Sequence, residues 1–242
     1  MANFRLVLSY DGTDYCGWQK QVENRTVQAV LEEVLAKITG KKIAVIGSGR
    51  TDAGVHAQGQ VANFRAALRL KDKELQNALN SLLPDDVKVL SLCRVAAGFD
   101  ARKSAQSKVY RYRIHNSRVV SPFVLRYVLY WPSPLDTGKM AQAAELFERE
   151  ADFTAFSSNR LLHPVRKVLC SKIKKRGKEI VYTIEANGFL RYMVRTIVGT
   201  LIEVGRGKIE LQHIEDIFRE NKRSLAGPTA PARGLCLVKV IY

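Results

Sequence analysis

Residues 4–12 read FRLVLSYDG. Phe4, Leu6, Leu8 and Tyr10 recur at every second position, so an extended chain would present one continuously apolar face, and Asp11-Gly12 supplies the turn that ends it. Downstream, Thr26 is placed to cap a helix whose apolar residues Val27, Val30, Leu31, Val34, Leu35 and Ile38 fall at helical spacing, with Gly40 as its stop. Ile43–Gly47 and Gln60–Phe64 read as strands. A second helix from about Asp72 carries Leu75, Leu79, Leu82 and Leu83 until Pro84 halts it, and Val87–Val95 alternates again. The order is βαββαβ, the ferredoxin-like split unit.

The second half repeats the pattern with additions. Val109–His115 reads as a strand and Met140–Phe147 as a helix. Val165–Lys174 and Glu179–Ala186 form a hairpin around Gly177. Leu190–Val204 is a helix and Leu235–Ile241 a closing strand. The expected fold is α+β: two ferredoxin-like halves, 1–100 and 101–242, forming a mainly antiparallel sheet with helices on one side and a cleft where the halves meet. Residues 117–134 read as an insertion in which Pro122, Pro132 and Pro134 prevent regular structure.

Composition points to the partner. The 242 residues carry a formal charge of +16 with 46% hydrophobic content, a globular chain suited to a polyanion such as nucleic acid. Residues 1–100 hold 13 basic and 11 acidic side chains, whereas 101–242 hold 26 and 12, so the phosphate-facing surface is expected in the second half. Cys16, Cys93, Cys170 and Cys236 are scattered, with no C-x-x-C pair and no His at ligand spacing. No metal site is expected, and the thiols read as reduced in a cytoplasmic protein. A strand pattern begins within a few residues of Met1, so no signal peptide is expected, and no uncharged apolar run approaches the roughly 18 residues of a membrane span.

Between two expected strands lies Gly49-Arg50-Thr51-Asp52-Ala53-Gly54-Val55-His56-Ala57. Glycines flanking a carboxylate let the backbone turn tightly and hold that side chain outward. In isolation the same stretch describes a polar turn in which Asp52 bonds neighbouring amides. The surrounding segments decide between these readings. They are Tyr10-Asp11-Gly12-Thr13, Gly17-Trp18-Gln19, Lys108-Val109-Tyr110-Arg111-Tyr112, Asn187 through Arg195, Val198-Gly199-Thr200-Leu201 and Gly227–Leu237. From Leu8 to Tyr242 the chain resembles the tRNA pseudouridine synthase A family in this order of segments.

The resemblance implies that Asp52 is the essential carboxylate, that Tyr110 contacts the target base, that Arg195 pairs with the catalytic Asp, and that Arg50 helps displace the target nucleotide. It also implies action on the anticodon stem-loop of tRNA, at the uridines of positions 38 to 40, by a homodimer in which one tRNA spans both subunits. Asp100 stands where the family often has His, so no RNA contact is assigned to it, while Arg102 keeps its place.

The chemistry fits these residue types. Pseudouridine forms when the C1′–N1 bond breaks, the base turns, and C5 joins C1′. Nothing is oxidised and no group leaves, so no cofactor is expected. A carboxylate must attack a sugar or base carbon or stabilise it, and a proton must leave C5. Attack at C1′, attack at C6 and promotion of a glycal all remain open to Asp52. An adjacent Arg offsets the cost of keeping that carboxylate ionised in a dry pocket. On the helix from Leu190, Arg191 and Arg195 lie along one margin of the stripe Leu190, Met193, Val194, Ile197, Val198, Leu201 and Ile202, where an Arg either reaches inward or snorkels to solvent. Tyr110 on its own reads as a strand aromatic of the core. Beside a catalytic loop it also suits an unstacked base. Trp18 and Gln19 read as closing a turn, and His56 as orienting the loop.

The stretch from Arg160 to Lys178 carries Arg160, Arg166, Lys167, Lys172, Lys174, Lys175, Arg176 and Lys178 without an acid, and Arg102, Lys103, Lys108, Arg111 and Arg113 cluster around Tyr110. Both runs suit tRNA phosphates. A charge run is usually only a solvated face, but on a hairpin of a chain this basic the Arg160–Lys178 run is expected to contact phosphate. The rival function is a non-catalytic RNA-binding protein of two RRM-like units, which lacks its aromatic-rich RNP1 pattern here; a DNA-binding protein has no recognition motif in support.

Overall fold

The alternation at residues 4–10 becomes strand β1 (Ala2–Tyr10), with Phe4, Leu6 and Leu8 wholly buried. The computed structural model describes residues 1–158 and 162–242, which leaves Arg160 outside the described residues. Helix α1 (Val27–Thr39) starts where expected: the Thr26 hydroxyl accepts from Ala29 N–H at 3.4 Å, and Gly40 closes the helix at φ +68°. Strands β2 (Val45–Gly47) and β3 (His56–Ala66) follow, then α2 (Asp72–Leu82) and β4 (Val87–Val95). Strand β1 pairs antiparallel with both β3 and β4, and β2 pairs with β3. In α2 Leu75 and Leu79 are buried, whereas Leu82 is half exposed at the helix end.

Beyond β4 come β5 (Ser107–His115), α3 (Pro122–Leu125), β6 (Leu129–Tyr130), α4 (Thr137–Glu145), β7 (Glu150–Asp152), β8 (Val165–Arg176) and β9 (Glu179–Ala186), then α5 (Met193–Gly205), α6 (Leu211–Glu220) and β10 (Leu235–Ile241). Two compact units result. One joins Met1–Gln106 to Leu237–Tyr242, and the other is Ser107–Cys236, so the last strand begins in one unit and ends in the other. In the second unit β9 pairs antiparallel with β5 and β8, and β7 pairs antiparallel with β8. The result is the α+β, mainly antiparallel architecture that the sequence pattern implies.

Three expectations need correction. Residues 117–134 are not irregular throughout. Pro122 occupies the first turn of α3, where its missing N–H costs nothing, and the Ser121 hydroxyl caps that turn. Leu129–Tyr130 then add to β5 as a parallel strand. The helix expected from Leu190 starts at Met193, because Tyr192 sits at φ +64° in the left-handed region and cannot continue a helix. Helix α6 has no counterpart in the sequence reading, although Leu211, Ile214, Ile217 and Phe218 have the spacing of one apolar face. Phe218 closes an aromatic cluster with Phe147, Phe153 and Phe156, at centroid distances of 5.8, 5.3 and 5.3 Å.

Candidate active site

Asp52 sits in the loop between β2 and β3, and that loop is held chiefly through its backbone. Trp18 N–H donates to Thr51 O at 3.1 Å, Gly54 N–H to Tyr15 O at 3.2 Å, and Val55 N–H to Asp52 O at 3.1 Å. The Tyr10 hydroxyl meets Thr51 Oγ1 at 2.8 Å in a buried contact. From the other side Gln60 Nε2 donates to Gly49 O at 3.1 Å, while Gly12 N–H, in the same run as Tyr10, donates to His56 Nδ1 at 3.0 Å. The segment that wraps the loop is thus the run from Tyr10 to Trp18, drawn tight at Gly17. That residue lies at φ +90°, and a Cβ there would come 2.6 Å from Thr51 O.

Thr51, Val55 and His56 are buried, Asp52 is partly exposed, and Arg50 stands in solvent. The structure therefore immobilises the peptide units on either side of a carboxylate whose side chain reaches the surface of its unit. Trp18, 2% exposed, closes the turn as core, and His56 orients the loop.

In the second unit Tyr110 is 8% exposed on β5, its ring edge-on to Phe189 at 5.1 Å. Arg195 leaves the first turn of α5, and its Nε donates to Ala230 O at 2.7 Å while Ala230 N–H returns to Arg195 O at 3.0 Å. Its guanidinium also lies 4.8 Å from the Tyr192 ring centroid, with Arg191 at 4.9 Å from the same ring. Arg191 precedes the helix, so the two Arg side chains are related through Tyr192 rather than as helical neighbours. Arg195 is neither freely snorkelling nor wholly buried: Ala230, in the 227–230 segment, and the Tyr192 ring hold it.

That segment lies directly on the helix. A Cβ on Gly199 would fall 1.6 Å from Pro228 O, and Gly227 N–H donates to Thr200 Oγ1 at 2.9 Å. The Tyr112 hydroxyl donates to Pro231 O at 2.8 Å, and burial pushes this phenol above its usual range, which keeps the donor protonated. The sequence motifs contain Phe189, Tyr192 and Ala230 but do not reveal these partnerships, since spacing along the chain says nothing of contacts made across a fold.

The basic residues divide by strand parity. On β8, Lys172 and Lys174 pair with Thr183 and Val181 of β9, which in turn face Arg111 and Arg113 of β5. These four cations share the sheet face opposite buried Tyr112, Ile180 and Tyr182. Arg113 is engaged by Glu179, with contacts of 3.1 and 2.6 Å, and that hydrogen bonding holds the carboxyl below its usual range. Arg111, Lys172 and Lys174 are exposed and have no acidic partner among the described residues.

Lys175 belongs to the other face, opposite Ile180, so it does not extend this row. Arg166 turns its guanidinium onto His163 O and Val165 O at 2.8 and 2.7 Å. Lys108 lies at the start of β5, in register with Ala186. Arg102 and Lys103 are exposed on a turn whose backbone amides both donate to Asp100 Oδ1 at 2.9 Å, so Asp100 serves here as a turn cap. Among the described residues no group of three or more His, Cys, Asp or Glu could hold a metal ion, and no helix is long and apolar enough to cross a membrane.

Residues 6–102 and 143–242 match the family model described as tRNA pseudouridine synthase. Among curated relatives, three proteins named tRNA pseudouridine synthase A are similar over 100% of both chains. Those of Thermodesulfovibrio yellowstonii, Brevibacillus brevis and Moorella thermoacetica are 43%, 44% and 42% identical over 254, 244 and 246 residues.

The clamp makes a prediction about coupling. Tyr10→Phe and Thr51→Val each remove one side of the same buried hydrogen bond, so each should cost about 0.5–1.5 kcal/mol. In urea denaturation the double variant should lose less than the sum, by roughly 0.5 kcal/mol or more. Strict additivity would mean the bond does not join strand to loop.

Proposed function

The chain belongs to the tRNA pseudouridine synthase family, and we propose that it converts uridine to pseudouridine in the anticodon stem-loop of tRNA with Asp52 as the catalytic carboxylate. The observation that carries this reading is the backbone clamp on the Asp52 loop. A carboxylate that attacks or stabilises a carbon gains most from pre-set position, and misplacement by about 1 Å costs on the order of a hundredfold in rate. The reaction conserves atoms: the C1′–N1 bond breaks, C5 bonds to C1′, the C5 proton departs, and N1 ends protonated. Asp52 supplies the charge or electron pair, and no electron acceptor enters.

The supporting roles follow from the chemistry of each side chain. Arg195 is assigned to stabilise the ionised Asp52; its pinning by Ala230 O and the Tyr192 ring supports a fixed orientation for that charge. Tyr110, ordered against Phe189, is assigned to the target base. Arg50, exposed two residues before Asp52, is assigned to displacing the nucleotide. Catalysis is assigned to a cytoplasmic homodimer, consistent with a tRNA substrate and four free thiols.

Phosphate binding is assigned first to the open face bearing Arg111, Lys172 and Lys174, with Arg102, Lys103, Lys108, Arg166 and Lys175 as further phosphate ligands. Replacing Lys172 and Lys174 with Glu should weaken tRNA binding and reduce the slope of log K against log salt by about 0.7–0.9 for each phosphate no longer neutralised. Lys175→Glu, on the opposite face, should reduce the slope by no more than the value for a single phosphate. Equal slopes in all variants would mark the row as a solvated face.

Asp52→Asn separates enzyme from RNA-binding module. It keeps shape and hydrogen-bonding capacity while removing charge and nucleophilicity. Binding of unmodified tRNA should persist, because affinity arises mainly from the basic surface. Pseudouridine formation under single-turnover conditions, which exclude product release as the limiting step, should fall below detection. Wild-type rates in the variant would refute the assignment; binding without conversion by the wild type would favour the RRM-like reading.

A further inference from the structure

We propose that the loop from His115 to Leu129 is a second RNA-contact element, in which Phe123 stacks on an unpaired base while Arg118 and Arg126 meet neighbouring phosphates. The proposal rests on the reading of this chain as a tRNA enzyme and adds a contact outside the Asp52 loop. Residues 103–142, which contain this loop, lie between the two stretches matched by the family model.

The loop leaves β5 at His115 and returns beside it, Leu129 pairing with Ile114 and Tyr130 with His115. Its base is stapled. The Tyr130 hydroxyl donates to Arg118 O at 2.6 Å, His115 Nε2 meets Val119 O at 3.1 Å, and Asn116 Nδ2 donates to Trp131 O and Ser133 O at 2.9 and 2.7 Å. Despite this ordering, Phe123 is 90% exposed and Val119 75%, and Tyr127, one turn beyond Phe123, is also exposed. A held loop that displays apolar side chains to water marks a contact surface.

Charge selects the occupant. From Asn116 to Leu135 there are two Arg and no acid. The patch carries positive charge only, and single-stranded RNA offers flat bases for the ring and phosphates for both Arg. Phe123 N–H is capped by Ser121 Oγ at 3.3 Å, so the backbone that presents the ring is already ordered before RNA arrives.

The test uses the full chain and unmodified tRNA, with equilibrium binding and single-turnover conversion read in parallel. Phe123→Ala should raise the Kd by roughly tenfold, within the about 5- to 150-fold range expected for losing one stacked base. Phe123→Trp should bind as the wild type does, while Phe123→Leu, apolar but without a π face, should resemble Phe123→Ala. Exposure of the ring makes misfolding an inadequate explanation for weaker binding. Unchanged binding in Phe123→Ala, with conversion intact, would overturn the loop's role and leave the enzyme reading standing. A shift in sedimentation rescued by Leu would assign the patch to a second copy instead. Failure of the wild type to bind or convert tRNA would remove both proposals.

Discussion

The hydrogen bond from Trp18 N–H to Thr51 O, with its companion from Gly54 N–H to Tyr15 O, is the constraint on which the active-site loop depends. Residues 49–55 belong to no strand, so the sheet alone does not fix them. Order comes instead from a second irregular segment, Tyr10 to Trp18, which is itself anchored at one end by β1 and at the other by the buried Trp18 ring. Two loops that satisfy each other's peptide groups make a rigid edge without regular structure. The glycines are consequences of that closeness: Gly17 lets one backbone approach the other, and Gly54, at φ +76°, turns the chain after Asp52.

Arg195 is constrained by the same means in the second unit. Its Nε and its own carbonyl both engage Ala230, and the 227–230 segment reaches α5 only because Gly199 leaves room for Pro228 O. In both units the side chain with an assigned chemical role stands beside a backbone-to-backbone contact that a Cβ would block. Preorganisation of this kind places the cost of positioning in folding rather than in the reaction step.

Much of this is legible in the sequence, for reasons that can be named. Thr26 and Gly40 bound α1 because caps are local chemistry, and β4 matches its expected span because alternation carries period 2 directly. Pro122 misleads because a proline forbids a helix interior but suits a first turn, and sequence alone does not say which position it holds. Tyr192 is unreadable as the residue before a helix start, since a left-handed Tyr is a local exception imposed by its surroundings. At the site, Asp52 stands out through its glycine-flanked setting and its family resemblance. The grip of Tyr10, Tyr15 and Trp18 on its loop does not, because those partners are more than thirty residues away in the chain. Proximity along the chain groups Lys175 with Lys172 and Lys174, and strand parity separates them.

Rigidity of the Asp52 loop is measurable without any assumption about substrate. Amide hydrogen exchange resolved at Trp18, Gly54 and Val55 tests it most directly, since these three N–H groups close the clamp. They should exchange as slowly as the amides of β1 and β3, opening only when the surrounding unit unfolds. Rapid exchange at these positions while β1 and β3 stay protected would show a loop that opens on its own, and would contradict preorganisation of Asp52 by its backbone.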